Sequence, residues 1–437
     1  MSGDAVTGVV TAEAPEEAAA RFLRSLHKPA HVLVAVSGGS DSTGLLAALA
    51  ERLRFSPNSD ITLSAASIDH GLRAESAAET LAVASLCASL CIPHVIRRWD
   101  GEKPKNGIMA AAREARYGLL AGIAAEMSAT VIVTAHTFDD QRETLAMRAS
   151  RVGAGEGGMG TGIADAMLFD RRIWIARPFL RCRRNDIRAY LTTRHISWID
   201  DPSNEDMHYE RVRTRKDLVE DCVAILDDGT AVRRALAEKA ADWFGRHATV
   251  HAAALCAIDR KGLDAEEAVL AYALSHLAAV FGGEPYGPGR DRMRRILDFI
   301  GEGEPGRRTA GGVVFDLRRD GLYLMRESRG IQSLELASEA AAIWDGRFRI
   351  ANHSDSPIRI EAAGAKGEAI FPEGLPRGAM RRARAALPQI VSGGDDGSVA
   401  IMPYLAPFDR FLTRFDLTFA NRLAAAFVRQ AYALPPL

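Results

Sequence analysis

The apolar run His31-Val32-Leu33-Val34-Ala35-Val36 is followed at once by Ser37-Gly38-Gly39-Ser40-Asp41-Ser42 and then by the helix-like Thr43-Gly44-Leu45-Leu46-Ala47-Ala48-Leu49. A buried strand, a Gly-Gly turn and a helix start together make a cradle for phosphate. Two glycines let successive backbone N–H groups approach an anion with no Cβ in the way, and the helix N-terminus adds its partial positive charge. Ser37, Ser40 and Ser42 bring hydroxyl donors to the same place. No Gly-x-x-x-x-Gly-Lys-Ser/Thr segment occurs, which excludes the lysine-bearing P-loop. Gly-Gly turns without function are common after strands. Here the hydroxyls, Asp41 and the flanking elements argue for the phosphate reading.

The chain has 437 residues, enough for two to four domains, and a formal net charge of −1. Any nucleic-acid-binding surface must therefore be local. The five cysteines, Cys87, Cys91, Cys182, Cys222 and Cys256, contain no C-x-x-C pair and no disulfide-like framework. Residues 1–17 are polar and acidic, unlike a secretory leader, and the apolar stretch around 269–281 is too short to span a bilayer. A cytoplasmic chain without a membrane partner is expected.

Helix and strand alternate from residue 18 to about 200: helix over 18–27, strand 31–36, helix 43–54, strand 61–68, helix 76–90, strand 94–99, helix 108–127 and strand 130–135. This order predicts an α/β fold with a doubly wound parallel sheet, whose ligands sit beyond the strand C-termini. Residues 211–299 read as mainly helical. Residues 311–326 read as a hairpin, with Val313, Phe315, Leu322 and Leu324 alternating. Short strands are expected over 344–350 and 358–361, a basic helix over 377–386 and an amphipathic helix over 417–432. The expected domains are 1–217, 218–330 and 331–437, the last two being helical and mixed α+β.

Two more groups fall at predicted strand ends, and two lie elsewhere. His136-Thr137-Phe138-Asp139-Asp140-Gln141-Arg142-Glu143-Thr144 starts a helix on which Asp140 or Asp139 shares a face with Glu143. Acidic first turns also simply stabilise helices, but the position favours Mg²⁺ coordination or proton acceptance. Asp69-His70-Gly71-Leu72-Arg73 lines the same crevice, with Arg73 suited to phosphate. Arg113, Arg116 and Tyr117 lie on the helix over 108–127, where a solvated charged face is the plainer reading. Beyond residue 200, Arg211 and Arg213 belong to a basic stripe that can neutralise nucleic-acid phosphates.

The hexapeptide resembles the SGGxDS loop of PP-loop ATP pyrophosphatases. With DHGLR (69–73), AREARY (112–117), H-T-F-DDQ-R-ET (136–144) and DDPSN…Y-x-R-x-R (200–213), the first half of the chain resembles the tRNA(Ile)-lysidine synthetases. Two departures stand out: Thr137-Phe138 after His136, where the family often has a His-His pair, and Arg211-Val212 in place of Arg-Asn. A tRNA cytidine-thiolating branch shares part of this pattern but carries a C-x-x-C arrangement that is absent here. A tRNA-binding protein without catalysis is disfavoured by the intact Asp41, Asp139 and Asp140.

The resemblance implies ATP and Mg²⁺ as cofactors and an isoleucine tRNA with a CAU anticodon plus free L-lysine as substrates, and it leaves room for a homodimer. Residues 37–42 with His70 and Arg73 would bind ATP. Asp41, Asp139, Asp140 and Glu143 would be catalytic, Asp41 and Asp139 would hold the metal, and Arg113, His136, Arg211 and Arg213 would contact lysine or tRNA. The basic segments 290–295 and 377–384 would contact tRNA phosphates.

Overall fold

Strand β1 (Ala30–Ala35) is flanked on both sides by parallel neighbours, β2 (Ile61–Asp69) and β4 (Val131–Val133), through register pairs such as Val32 with Leu63 and with Val131. Val32, Leu33 and Val34 are wholly buried, as are Val131, Ile132 and Val133. Continuous apolar runs of this kind belong to strands covered on both faces. The computed structural model describes residues 12–56, 60–71, 76–100, 103–104, 107–152, 162–200, 229–364, 367, 369–393 and 397–437. The chain divides into two compact units, Met1–Val232 with Ala433–Leu437, and Arg233–Tyr432.

In the first unit the strand order is β5-β6-β4-β1-β2-β3, with β3 at His94–Arg98, β5 at Ala166–Phe169 and β6 at Ile173–Ala176. All neighbours run parallel except β5 against β6. The helices are α1 (Pro15–Ser25), α2 (Ser40–Arg54), α3 (Ser76–Ser89), α4 (Ile108–Glu126), α5 (Phe138–Val152) and α6 (Arg184–Thr193). The chain leaves β1 for β2 on one side and later returns to β4 on the other. The switch point, where such sheets bind ligands, therefore lies between β1 and β4.

The eight elements expected between 18 and 135 are present, with one shift that matters: α2 begins at Ser40 rather than Thr43, and Gly39 is its N-cap residue. Asp41 thus stands in a helical first turn, where a carboxylate faces the positive end of the helix dipole. The antiparallel hairpin of β5 and β6 has no turn signature in the sequence. Its turn residues Asp170 and Arg171 adopt left-handed φ values of 51° and 56° without a glycine, where Asn-Gly or Asp-Gly is the usual signal.

The second unit opens with α7 (Thr230–His247) and holds a five-stranded antiparallel sheet in the order β7-β8-β11-β10-β9. Its strands are β7 (Ala248–His251), β8 (Leu255–Asp259), β9 (Gly306–Ala310), β10 (Val313–Leu317) and β11 (Gly321–Arg326). The hairpin expected over 311–326 is β10 with β11, Phe315 opposite Leu324. The expectation of helix throughout 211–299 is corrected at β7 and β8, whose turn holds Ala252 and Ala253 at φ +49°. Alanine gives no turn signal, and its helix propensity misleads. Residues 211–228 lie outside the described residues.

Helices α8 (Glu267–Gly282) and α9 (Arg290–Glu302) precede this hairpin. On α9 the apolar stripe Met293, Ile296, Phe299 and Ile300 is buried, which turns Arg290, Arg292, Arg294 and Arg295 to solvent. Further on, β12 (Leu334–Leu336), β15 (Ile358–Ala362) and β16 (Pro388–Ser392) form one small sheet, and β13 (Ala341–Trp344), β14 (Phe348–Asn352) and β17 (Val399–Pro403) another. The two share a core of Leu336, Trp344, Phe348, Ile350, Ile358 and Ile360. The single strand expected over 344–350 is instead broken by a turn over 345–347 between the end of β13 and the start of β14, because Asp345 and Gly346 take φ +49° and +64°.

Helix α10 (Arg377–Ala385) buries Ala379 and Ala383 in a core with Leu255, Val314, Tyr323 and Met325. Its Arg384 donates to the Ala369 carbonyl at 2.8 Å and stacks over Phe371, whereas Arg381 is exposed. After α11 (Ala406–Asp409) and β18 (Phe411–Thr413), the helix expected over 417–432 is the shorter α12, Leu417–Ala426. Behind it lies an ionic network. Asp416 accepts from Arg233 Nε at 2.9 Å, Tyr272 OH at 2.5 Å and Thr413 Oγ1 at 2.7 Å. His276 donates from Nδ1 to the Tyr272 carbonyl, accepts from Arg233 at Nε2, and stacks on Phe408.

Candidate active site at the strand ends

The loop between β1 and α2 is held by its own hydroxyls. Ser37 N donates to Ser42 Oγ at 3.1 Å, Ser42 Oγ donates to the Gly39 carbonyl at 3.2 Å, and Thr43 Oγ1 donates to the Gly38 carbonyl at 3.2 Å. Gly38 has φ +90°, a conformation that calls for glycine, and a Cβ there would also stand 2.8 Å from Ile199 Cδ1, the movable tip of that side chain. Ile199 N also donates to the Gly38 carbonyl at 2.9 Å. The turn is clamped from the chain segment that follows α6.

Past the end of β4, Thr137 caps α5. Its N–H donates to Asp140 Oδ2 at 2.8 Å and its Oγ1 accepts from Asp140 N at 3.4 Å, a reciprocal capping arrangement with Asp in place of Glu. His136 is oriented by Thr134, Nδ1 to Oγ1 at 3.0 Å. Glu143, one turn further along α5, is only 1% exposed. The structure thus brings Asp41, Asp139 and Asp140 to one place and sets Glu143 deeper.

What joins the three aspartates is Arg184, a residue that the sequence patterns did not single out. Its Nε donates to Asp41 Oδ2 at 3.0 Å, its NH2 stands 3.6 Å from Asp140 Oδ1, and its backbone N–H donates to Asp139 Oδ2 at 2.8 Å. The Asp41 and Arg184 side chains are 21% and 20% exposed. Burial raises the Asp41 carboxyl above the usual aspartate range; Arg184 opposes that rise and Asp140 adds to it. The guanidinium thus reaches two carboxylates, Asp41 and Asp140, while the third, Asp139, is held by the Arg184 backbone N–H. The available signal was positional: α6 follows the C-terminal end of β6, on the same sheet edge as the loop. The Arg-rich run 181–188 hid it.

Other predicted residues are spread along that edge. Asp69 Oδ1 accepts from Gly71 N at 2.7 Å and so shapes its own turn. His70 packs edge-on against Trp99, and burial, with the charges of Arg116 and Lys103, holds its pKa below the usual histidine value. Arg113 and Arg116 flank the ring of the buried Tyr117 at 5.2 and 5.4 Å. Beyond β6, the buried Arg177 donates to the Ala164 carbonyl at 2.6 Å, and with Arg113 and Arg116 it lowers the Tyr117 phenol pKa against the pull of burial. Arg73, Arg211 and Arg213 lie outside the described residues.

An anion cradle at the switch point of a mostly parallel sheet, with carboxylates opposite it, defines a nucleotide-binding domain of the PP-loop class. The PP-loop domain model matches residues 12–222. The chain is 40% identical to the tRNA(Ile)-lysidine synthase of Rhizobium meliloti over 96% of this chain and 97% of that protein. It is 37% identical to that of Mesorhizobium japonicum, covering 90% and 91%, and 34% identical to that of Brucella canis, covering 90% and 94%. The chain belongs to the tRNA(Ile)-lysidine synthase family, and its first unit uses ATP through the PP-loop. Among solved structures, a U34-tRNA thiolase from Methanococcus maripaludis is similar at TM-score 0.38 and 14% identity, over 46% of this chain and 70% of that one. Among the described residues, no helix is long and apolar enough to cross a membrane.

Proposed function

We propose that the protein ligates free L-lysine to carbon 2 of the wobble cytidine in an isoleucine tRNA with a CAU anticodon, converting ATP to AMP and pyrophosphate. The observation that carries this is the near full-length identity to curated tRNA(Ile)-lysidine synthases. The site chemistry supports it. Oxygen on carbon 2 of cytosine is a poor leaving group, and transfer of AMP onto it makes it a good one. Backbone N–H groups and hydroxyls of residues 37–42 would bind the phosphates of ATP, with His70 and Arg73 as further ATP contacts.

Mg²⁺ suits this donor set. It commonly takes one or two carboxylates and completes its shell with substrate phosphates and water, so a protein cage is not needed. Among the described residues no group of three or more His, Cys, Asp or Glu is gathered as a cage, while Asp41 and Asp139 both face Arg184 and are the residues we assign to the ion. Bound there with ATP, it would supply charge neutralisation on the phosphates.

Lysine presents a separate difficulty. A side-chain pKa of about 10.4 leaves only about one molecule in 2,500 neutral at pH 7. A carboxylate must attract the ammonium and help to remove its proton. Asp140, with its side chain 14% exposed, is the accessible candidate; the buried Glu143 and then His136 stand behind it. The amine then attacks carbon 2, and AMP departs with the oxygen. Arg113, Arg211 and Arg213, with the exposed arginines of α9 and α10, are assigned to lysine or tRNA contacts, and the reaction to the cytoplasm.

Among the described cysteines, Cys91 is exposed and three are unsuited to thiolate chemistry. Cys87, Cys182 and Cys256 are buried, and burial pushes their thiols up to about 11, about 12 and about 12. The deciding experiment incubates the protein with ATP, Mg²⁺, radiolabelled lysine and a CAU-anticodon isoleucine tRNA transcript. Label in the tRNA is expected; ATP turnover without label would overturn the reading.

A further inference from the structure

Residues 37–42 contain no lysine or arginine, yet a reaction that expels pyrophosphate must stabilise a highly charged leaving group. The same unit supplies cations from α6. Arg184 reaches Asp41 at 3.0 Å, and Arg188, four residues on, reaches Ser40 Oγ at 3.5 Å and Asp200 at 2.9 Å. Positions i and i+4 share a helix face, so α6 turns both guanidinium groups onto the first turn of α2.

The close approach is made by Gly44, where a Cβ would stand 2.4 Å from Ile187 Cγ2. Arg184 is also the group through which Asp41, Asp139 and Asp140 meet. Its pairing with Asp41 is replaceable. Both side chains keep about a fifth of their surface in solvent, and among the described residues the Asp41 carboxylate is hydrogen-bonded by the side chains of Arg184 and Ser40, the latter at 3.3 Å.

We propose that Arg184 is the cation that the 37–42 loop lacks: paired with Asp41 before ATP binds, it passes to the pyrophosphate oxygens as that group departs. This rests on the ATP-dependent adenylation described above. In that step the carbonyl oxygen of the base forms a bond to the α-phosphorus, and the bond from that phosphorus to the bridging oxygen breaks. The electron pair stays on pyrophosphate, and Arg184 meets the new charge through its N–H groups without giving up a proton. Arg188 remains with Asp200 and keeps α6 in register.

Inorganic pyrophosphate is the probe, titrated calorimetrically into the full chain in Mg²⁺-free buffer with chelator. Arg184→Gln should weaken its binding by about tenfold, Arg184→Lys should recover most of that loss because a cation remains, and Asp41→Asn should tighten binding by freeing the guanidinium. In turnover, Arg184→Gln should lower kcat for pyrophosphate release by about 100-fold, with a smaller change in KM for ATP. Unchanged pyrophosphate affinity in a folded Arg184→Gln protein overturns the proposal. Equal damage by Gln and Lys, or weaker binding in Asp41→Asn, overturns it too. Should Arg184→Gln not fold, the Lys and Asp41→Asn variants decide. None of these titrations contains lysine or tRNA, so a failed lysine-transfer assay leaves them intact and is separately visible.

Discussion

Two arginine-centred clusters, one in each unit, are built to opposite specifications. Arg184 faces three aspartates at the mouth of the phosphate cradle. Arg233 faces the single carboxylate of Asp416, whose remaining hydrogen bonds come from Tyr272 and Thr413, and it donates to a neutral His276. The second cluster balances its charge. In the first, the guanidinium is divided between Asp41 and Asp140, and Asp139 takes the backbone N–H of Arg184. Burial acts on both aspartates, but Arg233, His276 and Tyr272 outweigh it and hold Asp416 below the usual range, while Asp41 ends above it. A carboxylate held ionised by its own partners serves the fold, whereas one left above the usual range gains most from a cationic visitor.

The largest effect expected is on turnover. Asp41→Asn should cut pyrophosphate release by at least about 100-fold while shifting stability by no more than about 0.5 kcal/mol, because its burial already disfavours the charge. Stopped-flow turnover and a thermal melt check both halves; a large drop in melting temperature would erase the contrast. Next comes Asp416→Ala, which strands Arg233 and should cost about 3 kcal/mol in denaturant unfolding without altering KM for ATP in the surviving folded protein.

Acidification should separate the clusters by sign. His276 has its folded pKa lowered by burial, so the unfolded chain takes up a proton first. Stability contributed by that site is complete above about pH 6.5 and falls as pH drops from there towards the folded pKa. The depressed Asp416 adds a further loss at lower pH, as the unfolded chain's aspartate protonates first. Asp41 behaves oppositely: with its folded pKa raised, protonation on folding relieves a burial cost, so acid removes activity there without removing stability. Turnover and melting temperature followed from pH 7 to pH 4 should show this, and an Asp41→Asn chain that loses stability in acid much less than wild type would contradict it.

The smallest effect belongs to Asp139→Ala. Asp139 accepts the first N–H of α6, so its loss should cost about 1 kcal/mol, as for a helix cap. A raised Mg²⁺ requirement on top of that cost would mark a metal role; stability loss alone would mark Asp139 as a cap.

Much of the first unit was legible because its signals are local. An apolar run, a Gly-Gly turn and an acidic helix start announce β1, α2 and α5 within a few residues each. The hairpins at 170–171 and 252–253 were not legible, since Asp-Arg and Ala-Ala turn with positive φ only under tertiary constraint. Asp345-Gly346 was a readable turn overlooked inside an apolar stretch. Arg184 was hidden for another reason. It meets Asp41 across 143 residues of sequence, and in an arginine-rich chain one more arginine carries little information.

The missing side chain at Gly44 has a consequence of its own. Because Ile187 occupies the space that a methyl group would need, the reach from α6 to the cradle is fixed by an absence rather than by a bond. Introducing alanine there would act as a spacer, pushing Arg184 and Arg188 on α6 outward with no active-site residue replaced. Catalytic tuning in this enzyme can therefore come from volume changes at a position that touches no substrate, and a survey of reactive groups alone would overlook it.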